Sequence, residues 1–442
     1  MTKRFLKDNF IFMASTVLGG MLGYFFHFVV SRKLSVAEYG ELQAITSLSI
    51  IFGVFASALS FFIIKYSSVF ASHGDRAGQA AFLSFLIRKF RNPVLGIFIV
   101  YLSLVPILKF ILHLKDYLGL IAIGCSIIFF IFSAFYANAL QGWKKFLMVG
   151  AVGVAATVVK LAGGYALASA LPTASVVSFS ILISAVLGWF LARFFSRREW
   201  PAVSKNVPAN DWREKYFGGE NFRKSFASIL FFSLALAAAS NLDIIFVKNM
   251  TSSELAGYYG ALSVLGKIVM WLNLAVVAVL FPEACSSGYL GRPADSKSVL
   301  GSYGLIFAIS LPALVIYYFF SGFLVSLLFG EKYAIISQNL WLFGAMALFL
   351  SLLTLEANLA MARRDFRSTW LLGAVAVVLA SAVFLHHANL REIILSVIFS
   401  FSIGWVFVLG LNLNHRFSLF TNYETNESTK KIKMPFHSDK YF

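Results

Sequence analysis

The chain has 442 residues, of which 59% are hydrophobic and only 13% charged. Ordinary soluble domains carry about 25% charged residues, so that class is excluded. Two cysteines and a formal net charge of +17 leave no disulfide framework, and they raise the question of where the positive charge sits.

Apolar stretches recur at 10–30, 42–64, 93–114, 117–141, 147–171, 175–195, 225–248, 259–283, 300–321, 339–361, 369–387 and 392–413. About 20 apolar residues cross the roughly 30 Å hydrocarbon core as a helix. The expected fold is therefore all-α, a polytopic membrane protein of about twelve transmembrane helices. The opening run Met1-Thr2-Lys3-Arg4-Phe5-Leu6-Lys7 enters the first span with no small-residue cleavage site, so no cleaved signal is expected. Lys and Arg crowd the even-numbered loops and both termini and thin out in the odd-numbered loops. That distribution places both termini in the cytoplasm of a multi-pass inner or plasma membrane protein. It also reads the charge as a topology signal, not as a nucleic-acid surface. The most basic segment, Arg193 to Lys224, becomes the central cytoplasmic loop, where it attracts anionic headgroups.

The two halves are related. After span 1 the chain reads Ser31-Arg32-Lys33, then Glu38-Tyr39-Gly40-Glu41-Leu42-Gln43-Ala44. After span 7 it reads Val247-Lys248-Asn249, then Leu255-Ala256-Gly257-Tyr258-Tyr259-Gly260-Ala261. After span 4 come Ala137-Asn138, Gly142, Lys144 and Phe146, and after span 10 Ala357-Asn358, Ala362, Arg364 and Phe366. Two matches at nearly one offset predict two six-helix lobes. Six is an even number, so the lobes share an orientation and are related by a pseudo-two-fold axis along the membrane normal. The expected organisation is an N-lobe over 1–200, a central loop over 201–224, a C-lobe over 225–414, and a basic, disordered cytoplasmic tail over 415–442. Gly40 and Gly257 are expected to close tight turns that need a positive φ. Arg32 and Lys248 sit where basic residues complement a helix C-terminus.

These segments resemble the polysaccharide-transporter branch of the multidrug/oligosaccharidyl-lipid/polysaccharide exporter superfamily. The resemblance rests on Glu38-Tyr39-Gly40, on the run from Ala139 through Trp143-Lys144-Lys145 to Phe146, on Asn241-Leu242-Asp243 with Glu254 and Gly257-Tyr258-Tyr259, and on Leu328-Phe329-Gly330-Glu331-Lys332-Tyr333. It implies a flippase that carries an oligosaccharide on a polyprenyl pyrophosphate from the inner to the outer leaflet. It further implies alternating access of two lobes, driven by an ion or proton gradient. The implied partners are the lipid-linked anionic saccharide, membrane lipids and polysaccharide-assembly machinery, with the monomer as the working unit. The chain has no Gly-rich phosphate loop with its lysine. No nucleophile, metal cluster or general acid–base pair stands out, so no enzyme activity, cofactor or metal is expected.

Ionisable residues within spans are costly and mark function by default. Lys160 lies about 13 residues into span 5, roughly 20 Å deep, and is read as an anion site or as a buried lysine held by carbonyls. Lys267 lies two turns inside span 8, with Trp271 four residues on and so on the same face. The pair suggests a cation–π contact or a sugar-stacking edge. Asp243, a turn inside span 7, is read as an ion-pair partner of Lys267 or as a titrating coupling group. In span 1, Ser15, Gly19, Gly23 and His27 form one stripe. The glycines suggest close helix packing, and His27 a group able to titrate near neutral pH. The candidate substrate-binding residues are thus Lys160, Lys267, Arg32 and Trp271, and the candidate coupling residues Asp243 and His27. Glu356, beside Arg363 and Arg364 at the inner end of span 10, reads as a cytoplasmic gate bridge or, the favoured reading, as a surface pair. A competing reading is a cation-coupled drug or metabolite antiporter of the same superfamily, which two deep lysines against one aspartate disfavour. A membrane-embedded polymerase or glycosyltransferase would need acids in larger outer loops.

Overall fold

The structure, a computed structural model, describes the backbone of residues 3–200, 222–289, 295–362 and 367–427, and the side chains of most of them. Its first lobe runs α1 (Lys3–Lys33), α2 (Val36–Phe52), α3 (Val54–Ser72), α4 (Arg76–Ile111), α5 (Leu118–Gly142), α6 (Phe146–Ala170) and α7 (Ala174–Glu199). Its second runs α8 (Phe222–Met250), α9 (Ser253–Tyr289), α10 (Ser296–Phe319), α11 (Ser321–Phe329), a 3₁₀ segment Glu331–Asn339, α12 (Leu340–Ala362), α13 (Arg367–Leu385) and α14 (Leu390–Glu427). Eleven of these stretches are long and apolar enough to cross a membrane, and Thr369–Leu385 is a shorter apolar helix. The chain is an all-α, multi-pass membrane protein.

The lobes repeat each other's packing. In the first, α5 packs on α7, α3 and α4, while α6 lies between α1 and α7; in the second, α12 packs on α14, α9 and α10, while α13 lies between α8 and α14. Each pairing matches its counterpart under the offset read from the two sequence repeats. We call the face where α1 begins and α14 ends the terminal face, and the opposite one the distal face.

Several details differ from the sequence reading. The second span is two helices, because the chain breaks at Gly53 between α2 and α3. The loop expected before span 10 contains α11 and the 3₁₀ segment. The backbone of α14 stays helical to Glu427, beyond the expected start of a disordered tail at 415. The predicted central loop falls largely on 201–221, and Arg363, Arg364 and the tail beyond 427 likewise lie outside the described residues.

Gly40 and Gly257 are corrected in their reason. Both sit within helices, and the glycines with positive φ among the described residues are Gly74 and Gly330. A Cβ on Gly40 would stand 2.5 Å from the Gly257 nitrogen and 2.6 Å from the Ser253 carbonyl oxygen; one on Gly257 would strike the Val36 carbonyl. The two repeat-related glycines therefore let α2 and α9 cross backbone to backbone where the lobes meet. Gln43 Nε2 crosses the same boundary to the Gly260 carbonyl, at 3.4 Å.

The lobes are joined unevenly. α2 and α3 lie along α8, ending in Phe226 against Phe55 and Phe62, with ring centroids 5.5 and 6.2 Å apart. Among the described residues α1 meets α9 at Gly20, whose missing Cβ makes room for the Trp271 ring. Below that level Met13, Val17 and Leu18 on α1 are exposed, as is Val279 on α9. A Cβ on Gly19 or Gly23 would meet nothing within 4 Å. The expected Gly19–Gly23 packing stripe thus borders open space, and Gly20 is the close-packed glycine of α1.

Candidate functional site: a cationic cluster between the lobes

The two deep lysines come from different lobes and converge on α1. Lys160, from α6, is half-buried and places its ammonium 4.3 Å from the centre of the Phe26 ring. Gly164, one turn on, gives α1 room at Phe26 and Val30. Lys267, from α9, donates to Asn241 Oδ1 at 3.1 Å, and its backbone carbonyl accepts the Tyr24 hydroxyl at 2.9 Å. Between them stands His27, on which the charges of both lysines act. His27 Nδ1 lies 3.3 Å from the Tyr39 hydroxyl. Gln43 Nε2 donates to that Tyr39 oxygen at 2.6 Å.

Asp243 is 1% exposed. Its Oδ2 accepts the Tyr259 hydroxyl at 2.8 Å, while its Oδ1 has no hydrogen-bond partner. The charge of Lys267 bears on it, but the expected ion pair does not form: Lys267 turns to Asn241 and Asp243 to Tyr259. Nor does Lys267 make the expected cation–π contact with Trp271. Trp271 packs edge-on to Tyr24, with centroids 6.5 Å apart and planes at 73°. Their contact holds α1 against α9 at this level.

Arg32 is not part of this cluster. It lies exposed at the distal face and donates to the Leu327 carbonyl of the second lobe. Asn241, Tyr24, Tyr39 and Tyr259 complete the site, and of these only Tyr24 lay outside the runs that carried the family resemblance. Neutral side chains at helical spacing carry no local mark of a buried hydrogen-bond network.

Glu356 needs a correction. It is 1% exposed, not a surface group. It accepts the Tyr303 hydroxyl at 2.6 Å and the Asn412 side-chain amide, and Tyr303 in turn accepts Trp405 Nε1 at 3.3 Å. The acid thereby ties α10, α12 and α14 together. Cys125 is a half-buried free thiol. Among the described residues no three His, Cys, Asp or Glu converge on a metal position.

Chemically, the cluster presents two ammonium groups with neutral partners. Neither Lys160 nor Lys267 is in salt-bridge contact with a carboxylate among the described residues. Cations far from water are costly unless a counter-charge arrives. An anion placed between the lobes would meet one lysine from each.

No family model matches the chain, and no curated protein matches it in sequence. Solved structures match over more than 90% of its length. A multidrug resistance MATE family transporter of the MOP superfamily, in an inward-facing conformation, superposes with a TM-score of 0.70 at 11% identity, covering 91% of this chain and 96% of its own. The lipid II flippase MurJ, in an inward closed conformation, gives 0.69 at 14% identity, covering 94% and 93%. A MOP superfamily transporter from Pyrococcus furiosus, described as having a binding pocket of reverse polarity, gives 0.62 at 12% identity, covering 92% and 94%. The chain therefore has the two-lobe fold of MOP-superfamily transporters.

Proposed function

We propose that this protein is a flippase for a polyprenyl-pyrophosphate-linked oligosaccharide, moving it from the inner to the outer leaflet by alternating access. The observation that carries the reading is the pair Lys160 and Lys267, two cations from opposite lobes with no carboxylate in contact among the described residues. In a site of low dielectric such a pair holds a diphosphate far more strongly than in water. The fold is shared with a structure described as a lipid II flippase. On this reading, which takes orientation from the distribution of basic residues, the distal face is the outer one and the exposed lower parts of α1 and α9 lie on the cytoplasmic side. Asp243, buried with an unpartnered oxygen, is the coupling acid, and His27 relays between the lysines.

A second reading, a cation-coupled drug or metabolite antiporter, draws on the MATE likeness and on Asp243. One experiment separates them. Cells lacking the gene are complemented with wild type, Lys160→Ala, Lys267→Ala or Asp243→Asn, and the leaflet exposure of lipid-linked glycans is followed. The flippase reading expects glycan trapped on the inner leaflet, rescued by wild type and not by well-expressed lysine variants. Asp243→Asn keeps an acceptor for Tyr259 and should abolish the dependence on the gradient. Unchanged glycan together with altered sensitivity to cationic compounds would sink the flippase and favour the antiporter.

A further inference from the structure

At the distal face each lobe caps a helix of the other. Helix C-termini leave carbonyl oxygens without intrahelical donors and carry partial negative charge. The end of α1 is capped from the second lobe: Lys332 Nζ donates to the Arg32 carbonyl at 3.3 Å and to the Leu34 carbonyl. The end of α11 is capped from the first lobe, by Arg32 donating to the Leu327 carbonyl. The partners are almost 300 residues apart in the chain, so these bonds exist only while the lobes are closed at this face. Beneath them lies an aromatic seal. Phe28 stands edge-on to Phe329 at 5.3 Å, and Tyr39 to Phe329 at 6.0 Å and to Tyr333 at 6.1 Å.

Among the described residues the two cations bond to neutral carbonyl oxygens, and Lys332 also lies 5.5 Å from the centre of the Tyr333 ring. Glu331, next in the chain to Lys332, is exposed and forms no salt bridge with either cation among the described residues. An open cavity of about 370 Å³ lies at the same place, lined by Arg32, Phe329, Gly330, Glu331 and Lys332. A phosphate is a stronger partner than a carbonyl for both groups, because charge-assisted bonds are roughly twice as strong as neutral ones.

We propose that Arg32 and Lys332 form a phosphate-accepting pair at the distal mouth, and that a phosphate replacing the helix carbonyls as their partner releases the lobes from each other there. A phosphate that binds the parted arrangement better shifts the population toward it by that difference in affinity. The choice of phosphate rests on the flippase reading. In that setting the latch opens in response to the diphosphate it must discharge, whereas an unloaded protein stays shut. The phosphate comes either from solution or from a lipid headgroup.

The test uses the full chain in phosphatidylcholine nanodiscs, with Cys125 and Cys285 replaced by serine. Spin labels go on Leu171→Cys and Ile335→Cys, both exposed on the distal side of their lobes. Distances between the labels give the open-to-closed ratio. Inorganic pyrophosphate, or a polyprenyl monophosphate in the disc, is expected to raise this ratio about tenfold, within the range usual for coupled sites. A response to pyrophosphate identifies a soluble anion as sufficient; a response to the lipid alone identifies a headgroup. The double variant Arg32→Gln, Lys332→Gln should be more open without any probe and should not respond. No response to either probe in wild type, or a response that survives in the double variant, overturns the proposal. Glycan flipping in cells separates the two claims. If probes open the wild type but glycan exposure never depends on the protein, the latch stands and the flippase falls. If glycan flips normally and probes do nothing, the reverse holds.

Discussion

Replacing Gly40 with alanine adds one methyl group at the point where the lobes cross, and its consequences can be worked from the geometry. The new Cβ would lie 2.5 Å from the Gly257 nitrogen, 2.6 Å from the Ser253 oxygen and 3.0 Å from the Ala256 carbonyl carbon, where ordinary contact begins at 3.4 Å. All three are backbone atoms, so no rotamer change relieves the clash and α2 must back away from α9 by about 0.9 Å. Overpacking of this kind costs about 1–3 kcal/mol; about 2 kcal/mol corresponds to about thirtyfold in an equilibrium constant. Alanine also favours a helix over glycine by up to about 1 kcal/mol. That gain is present whether the lobes are closed or parted, so it cancels in their ratio and blurs a melting curve. The decisive assay is therefore the open-to-closed ratio from labels at Leu171→Cys and Ile335→Cys, not the melting temperature. Gly40→Ala should raise the ratio by one to two orders of magnitude. Gly301→Ala, where an added Cβ meets nothing within 4 Å, should leave it unchanged. A wild-type ratio in Gly40→Ala, or an equal shift in Gly301→Ala, would refute the close-crossing argument.

Glu356→Ala should destabilise the second lobe by about 2–4 kcal/mol, from a buried cavity plus the loss of the carboxylate's bonds to the Tyr303 hydroxyl and the Asn412 amide. Glu356→Gln keeps the shape and an acceptor and should cost less than half as much; thermal melts that rank them equally would count against the network. Lys115 is an exposed loop lysine whose pKa is raised, chiefly by its hydrogen bond to the Glu38 carboxylate. A raised lysine contributes stability fully below its unfolded value of about 10.4 and loses it as pH rises through the folded value. Lys115→Gln should therefore lower stability by no more than about 1 kcal/mol near neutral pH. The difference from wild type should vanish in strongly alkaline buffer, and a gap that persists there would contradict the assignment. Trp271→Ala removes the contact with Gly20 and Tyr24, so a cysteine placed at Gly23 should be modified faster; an unchanged rate would contradict the account of Trp271 as the packing contact between α1 and α9.

The sequence alone determined the class of the molecule, most of its apolar spans, the doubling into two lobes and the two deep lysines. These are local properties: a run of apolar residues or a lysine amid such a run is visible without knowing its neighbours, because the membrane is a uniform solvent that tests each segment separately. Repeats are visible because duplication copies residues in register. What a residue touches is another matter. Gly40 and Gly257 were recognisable as counterparts, yet only the crossing of α2 and α9 shows that they touch each other. Glu356 looked like a surface acid beside two arginines, and only the convergence of α10, α12 and α14 buries it. Asp243 and Lys267 are near in sequence and carry opposite charge, but the orientations of α8 and α9 hand them to Tyr259 and Asn241 instead. Lys332 stood in one of the runs that carried the family resemblance, but only packing set it on the end of α1. Tertiary structure decided these roles because a hydrogen bond depends on two side chains arriving at one place, and for Arg32 and Leu327 that means segments 295 residues apart.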